Sequence, residues 1–173
     1  GIGAVIGHEI GHGFDDQGRE FDEKGRIRNW WTDETVENFK TATRMLGAQY
    51  SAYCPIPGDD ETCINGELTM GENIGDLGGL EMAYAAYKMS LNGKEAPVID
   101  GFTGDQRFFM AWAQVWRGMS RDDALRNLLL TNPHSPETVR GEAPQRNIDA
   151  WYEAFGVKEG DKWISRGTNL YWP

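Results

Sequence analysis

The feature that most constrains this chain is the run Ala4-Val5-Ile6-Gly7-His8-Glu9-Ile10-Gly11-His12-Gly13-Phe14, which sets two histidines four residues apart around a glutamate. On a helix, positions four apart share one face, so both imidazoles can point at one metal ion. Glu9 sits beside the first histidine, where its carboxylate can reach a water on the metal rather than the metal. The pattern implies a zinc-hydrolase centre. Its plainer alternative is a pair of ordinary core or surface histidines, and the rest of the chain has to decide.

Structural zinc sites draw on closed, Cys-rich ligand sets, whereas a catalytic site has three protein ligands and one open position. Only Cys54 and Cys63 exist here, and neither is near the histidine pair in sequence. The third ligand is sought instead in Gly71-Glu72-Asn73-Ile74-Gly75-Asp76-Leu77-Gly78-Gly79. Glu72 and Asp76 fall on one side of a helix. Glu72 can complete the set. Asp76 can accept a hydrogen bond from the outer ring nitrogen of a ligating histidine, which fixes its tautomer. A solvated acidic helix face is the competing reading. Against it, Asn73 and the glycines at 75, 78 and 79 are poor helix formers, and they suggest close backbone packing.

The block from Gly3 through His8-Glu9-Ile10-x-His12-Gly13-Phe14-Asp15-Asp16-Gln17-Gly18, followed by Gly71-Glu72-Asn73-Ile74-x-Asp76, resembles the neprilysin/endothelin-converting-enzyme family of zinc metallopeptidases. Phe108-Phe109 with Gln114 and Trp116, His134-Ser135-Pro136 with Arg140, and Ala150-x-Tyr152-x-Ala154-Phe155 extend the likeness over nearly the whole chain. It fades after Asp161, where Ser165 to Leu170 are unlike the usual family ending.

The resemblance implies a zincin-type, thermolysin-like C-terminal helical subdomain that binds one zinc ion through His8, His12 and Glu72. Glu9 would be the general base that takes a proton from zinc-bound water and passes it to the leaving amine. His134 would donate to the developing oxyanion, and Arg140 would clamp a substrate carbonyl. Trp116 and Val5 would wall the pocket for a bulky apolar residue just after the cut bond. Residues 1–173 are then expected to be a fragment, lacking the upstream cap domain and the edge strand that holds a peptide. The alternative is a zinc-binding but catalytically incomplete piece that needs the missing N-terminal segment or a partner chain.

The remaining sequence limits the partners. A net charge of −10 and a pI of about 4.7 argue against nucleic acid or an anionic membrane surface. No apolar run approaches the roughly 18 residues of a membrane span. Peptides are the expected substrates. Cys54 and Cys63 flank a turn-rich loop and would pair in an oxidising compartment. That favours an extracytoplasmic protein, with two free thiols in a cytosolic one as the alternative.

The spacing predicts a mainly α domain. Thr32 caps a helix with the stripe Val36, Phe39, Leu46, Tyr50 and Tyr53. The Glu72 helix runs to about Lys88. Thr103 and Gln106 form a capping box opening an aromatic helix to Trp116. Ser120 opens another, with Leu125, Leu128 and Leu129 inward. A last one carries Ile148, Trp151, Tyr152 and Phe155 and ends at Gly156. Arg19 to Asn29 reads as a short hairpin or a loop.

Overall fold

Two helices, α1 (Ile2–Gly11) and α3 (Met70–Ser90), lie against each other with glycines at their crossing. A methyl placed on Gly79 would fall 2.4 Å from the Ala4 carbonyl oxygen and 2.6 Å from the His8 amide. One on Gly75 would fall 2.8 Å from Nδ1 of His8. Both contacts are shorter than any side chain tolerates, so only glycine permits this approach. The close packing expected from the glycine run is therefore real, and it occurs beside the first histidine. The computed structural model describes residues 1–158, Gly160 and Asp161. The atypical stretch Ser165 to Leu170 lies outside them.

The other helices are α2 (Asp33–Ser51), α4 (Gly104–Val115), α5 (Asp122–Thr131), α6 (Glu137–Glu142) and α7 (Asp149–Phe155), with 3₁₀ turns at Gly18–Glu20 and Gln145–Asn147. The architecture is mainly helical, as the spacing predicts. Thr32 caps α2 through its side chain, and Thr103 and Gln106 make the reciprocal capping box of α4. Gly156 takes the left-handed conformation that ends α7. Leu46 and Tyr50 of α2, Leu77 and Leu80 of α3, and Phe109 and Trp112 of α4 form one core with Leu125, Leu129 and Val139.

Two local details differ from the sequence reading, and a third, the Arg19 to Asn29 segment read as a short hairpin or a loop, falls between those alternatives. The segment after α1 has a single antiparallel bridge, Phe21 to Ile27, around a turn pinned by buried Asp22. Asp22 accepts from the amides of Lys24 and Arg26 and from the Arg26 guanidinium. Helix α5 starts from Arg121 rather than Ser120, and no side chain caps it. Asp122 and Asp123 in its first turn meet the positive end of the helix dipole instead. Helix α6, short and led by Pro136, was not anticipated; Pro136 suits a helix start because the amide it lacks would have no partner there.

Cys54 and Cys63 form a disulfide that closes the turn-rich loop. Among the described residues, no helix is long and apolar enough to cross a membrane.

Candidate metal centre

Helix α1 turns His8 inward, only 7% exposed, and leaves His12 half-buried one turn later. Helix α3 brings Glu72 across the glycine crossing. Oε2 of Glu72 lies 3.1 Å from Nε2 of His8, and Oε1 lies 3.6 Å from Nε2 of His12. One ligand atom from each of the three residues fits within a mutual 4.8 Å, so they form one three-donor cluster.

The outer ring nitrogens are already engaged. Nδ1 of His8 donates to Asp76 at 2.9 Å, and Nδ1 of His12 donates to Asp15 at 2.8 Å. A proton on each Nδ1 leaves the Nε2 lone pair of each ring facing Glu72. The hydrogen bond to Asp76 raises the His8 pKa above its ordinary value, against the lowering effect of burial.

Asp76 was anticipated from its spacing; Asp15 was not. Its other oxygen accepts from the amides of Gln17 and Gly18, at 2.9 and 2.7 Å, so the carboxylate is fixed by the turn that follows α1. The available signal was an aspartate three residues beyond His12, close enough to return to its ring.

Arg140 stands behind Asp76. Its Nε and Nη2 donate to the two Asp76 oxygens at 2.7 and 2.8 Å, and the pair is buried, with Asp76 1% and Arg140 8% exposed. The Arg140 guanidinium also sits 3.9 Å from the centre of the Trp116 ring. Trp112 donates from its indole to the Arg140 carbonyl at 2.9 Å, which anchors α6 on α4.

His134 reaches the same cluster from the loop after α5. Its Nε2 lies 3.1 Å from Oε2 of Glu72, and Asn132 Oδ1 accepts from both its amide and its Nδ1. Next to it, Ser135 donates to Asn73 of α3 at 2.8 Å, which pins the loop. Glu9 and Val5 remain on the exposed side of α1, Val5 at 43%.

Two observations show that this donor set fits a metal. Oε2 of Glu72 is buried and makes no hydrogen bond, although two imidazoles stand beside it. Two imidazole nitrogens and a carboxylate are also a donor combination that zinc accepts.

The profile described as peptidase family M13 matches residues 1–169. The chain belongs to peptidase family M13. This M13 chain is 47% identical to neprilysin-1 of Caenorhabditis elegans over 165 residues, covering 92% of the chain and 22% of the relative. It is 42% identical to endothelin-converting enzyme 1 of Homo sapiens over 164 residues, 92% of the chain and 21% of that enzyme. Among solved structures, the zinc metalloprotease ZMP1 of Mycobacterium tuberculosis in complex with an inhibitor superposes with a TM-score of 0.92 at 50% identity. That match covers 95% of this chain and 26% of ZMP1. The M13 chain thus spans about a fifth to a quarter of the length of these relatives.

Proposed function

We propose that this chain is the zinc-bearing part of an M13 endopeptidase, with His8, His12 and Glu72 as ligands of one zinc ion. The observation that carries this reading is the convergence of those three side chains while Asp76 and Asp15 hold both outer ring nitrogens. A bound zinc ion supplies a water of lowered pKa and a Lewis acid for a carbonyl oxygen.

The chain's own residues would do the rest. Glu9, next to His8 and free of any partner among the described residues, accepts a proton and returns it to the leaving amine. His134 points Nε2 toward the cluster; with Nδ1 donating to Asn132, Nε2 can donate to a substrate oxygen as it gains charge only when the ring carries both protons. Trp116 and Val5 border a pocket for a bulky apolar side chain on the amine side of the cut bond. Arg140 has a double part in this reading. It orients Asp76, and its remaining N–H groups can meet a substrate carbonyl.

Residues 1–173 are assigned to the C-terminal part of a catalytic domain. Good positioning lowers a barrier by about 7–11 kcal/mol, so zinc binding and turnover are separable properties. The disulfide supports an extracytoplasmic location.

The test is a titration of metal-free protein with zinc, followed by mass spectrometry of a peptide mixture. One zinc per chain and chelator-sensitive cuts before bulky apolar residues are the expected results. Failure to take up zinc with His8, His12 and Glu72 intact would overturn the proposal.

A further inference from the structure

Three buried polar side chains stand beside the metal centre and take no part in its proposed chemistry. Thr69, Asn73 and Ser135 are 3%, 1% and 3% exposed. They form one line of hydrogen bonds. The Ser135 hydroxyl donates to Oδ1 of Asn73 at 2.8 Å, and Nδ2 of Asn73 donates to the Thr69 hydroxyl at 2.9 Å. That hydroxyl donates in turn to the Asn65 carbonyl at 3.1 Å. Each hydroxyl has a single proton, so the line runs one way and fixes which end of the Asn73 amide faces Ser135. Its far end is itself held, because Oδ1 of Asn65 accepts from the amides of Glu67 and Leu68.

The line joins two residues that each follow a member of the site. Asn73 comes after Glu72 on α3, and Ser135 comes after His134 in the loop behind α5. The bond between the second members therefore governs the spacing of the first, where Nε2 of His134 lies 3.1 Å from Oε2 of Glu72. His134 needs such support, because its side chain is 45% exposed. Its contacts to Asn132 are internal to the loop and would travel with it. The Ser135 bond crosses to α3.

From this arrangement we infer that Asn73 and Ser135 are positioning residues that set the His134 imidazole against Glu72, with Thr69 fixing the orientation of the Asn73 amide. The inference rests on the role proposed above for His134. A donor to a developing oxyanion works by being in place beforehand, and a small displacement forfeits much of its effect. The two buried side chains supply that placement without touching substrate.

The test compares the full-length parent with Ser135→Ala and Asn73→Leu, without added zinc and at one fixed pH. It reads the ¹³C–¹H signals of the three imidazole rings, assigned with His134→Ala, and the ¹⁵N order parameters of the backbone. Ser135→Ala is expected to shift the His134 ring signals and to lower the order parameter of its amide from about 0.85 toward about 0.6. The rings of His8 and His12 and the circular dichroism should stay as in the parent. Asn73→Leu should give the same selective response, and the double variant no more than either single one. Should Asn73→Leu fail to fold, Ser135→Ala decides alone. Unchanged His134 signals in Ser135→Ala would overturn the inference. So would comparable shifts in all three rings, which would make the pair ordinary core packing. Zinc uptake by the parent is measured separately: its absence would count against the zinc reading, and the His134 response would still decide this one.

Discussion

Arg140 grips both oxygens of Asp76, at 2.7 and 2.8 Å, while Asp76 holds the ring of His8 at 2.9 Å. A buried guanidinium thus stands two contacts behind a proposed metal ligand, so the substrate clamp proposed for it would not be its only office. Removing one partner of a buried pair leaves the other charge uncompensated, at about 3–5 kcal/mol. Arg140→Ala is expected to lower the melting temperature and also to weaken zinc affinity about 10–100-fold. Calorimetry of zinc binding checks this. Unchanged affinity with lost turnover would leave Arg140 a substrate contact alone.

Asp15 makes the same kind of contact to His12 from the turn after α1. Asp15→Asn keeps the shape but can present its amide nitrogen to the ring, and it loses the charge. Zinc affinity is expected to fall about 10–100-fold, with the fold retained. An equilibrium competition with a chromophoric chelator measures it, and a variant that competes as well as the parent would show that the turn, not the carboxylate, matters.

Glu9 touches none of the ligands' outer nitrogens, so its removal separates chemistry from metal binding. Glu9→Gln is expected to bind one zinc per chain normally and to lose turnover by about 10²–10⁴ or more. Peptide cleavage at the parental rate would remove Glu9 from the mechanism.

The α1–α3 crossing can be tested with two neighbouring glycines. At Gly79 an added methyl meets the α1 backbone at 2.4 Å, whereas at Gly78 it meets nothing within 4 Å. Gly79→Ala is expected to destabilise by about 1–3 kcal/mol, as overpacking does. Gly78→Ala should be neutral or stabilising by up to about 1 kcal/mol, from helix propensity. Urea unfolding of both proteins compares them directly, and similar losses at both sites would contradict the packing described here.

Asp59, in the disulfide loop, is paired with Arg126 of α5 and bonded to Thr62, and these contacts hold its carboxyl well below the usual range. A carboxyl whose pKa is depressed in the folded state stabilises above its unfolded value, near pH ~4. That contribution disappears as the pH falls toward the folded value. The melting-temperature gap between the parent and Asp59→Asn should therefore be largest above pH ~5 and narrow on acidification. A gap that is constant with pH would assign the effect to the loop's shape rather than its charge.

The proposed ligand set is legible in the sequence because helical spacing is local: His8 and His12 share a face by periodicity alone, and so do Glu72 and Asp76. The glycines at 75 and 79 announce the crossing that joins these two pairs, since a glycine run is tolerated in a helix mainly where something lies close. The role of Asp15 is harder to read, because it depends on a turn whose backbone conformation no periodicity encodes. The grip of Arg140 on Asp76 is harder still, since it joins residues 64 apart through a tertiary contact. The start of α5 was misread because a hydroxyl at Ser120 competes with the charge of Asp122 and Asp123, and sequence does not say which end condition wins.

The glycine beneath His8 has one more consequence. With no side chain at position 75, the imidazole lies directly on the main chain of α3, with Asp76 and Arg140 closing behind it. The ring has little rotational freedom left to surrender when a metal ion arrives. In the proposed reading zinc would enter a seat already shaped for it, as a last component and not as the organiser of the fold.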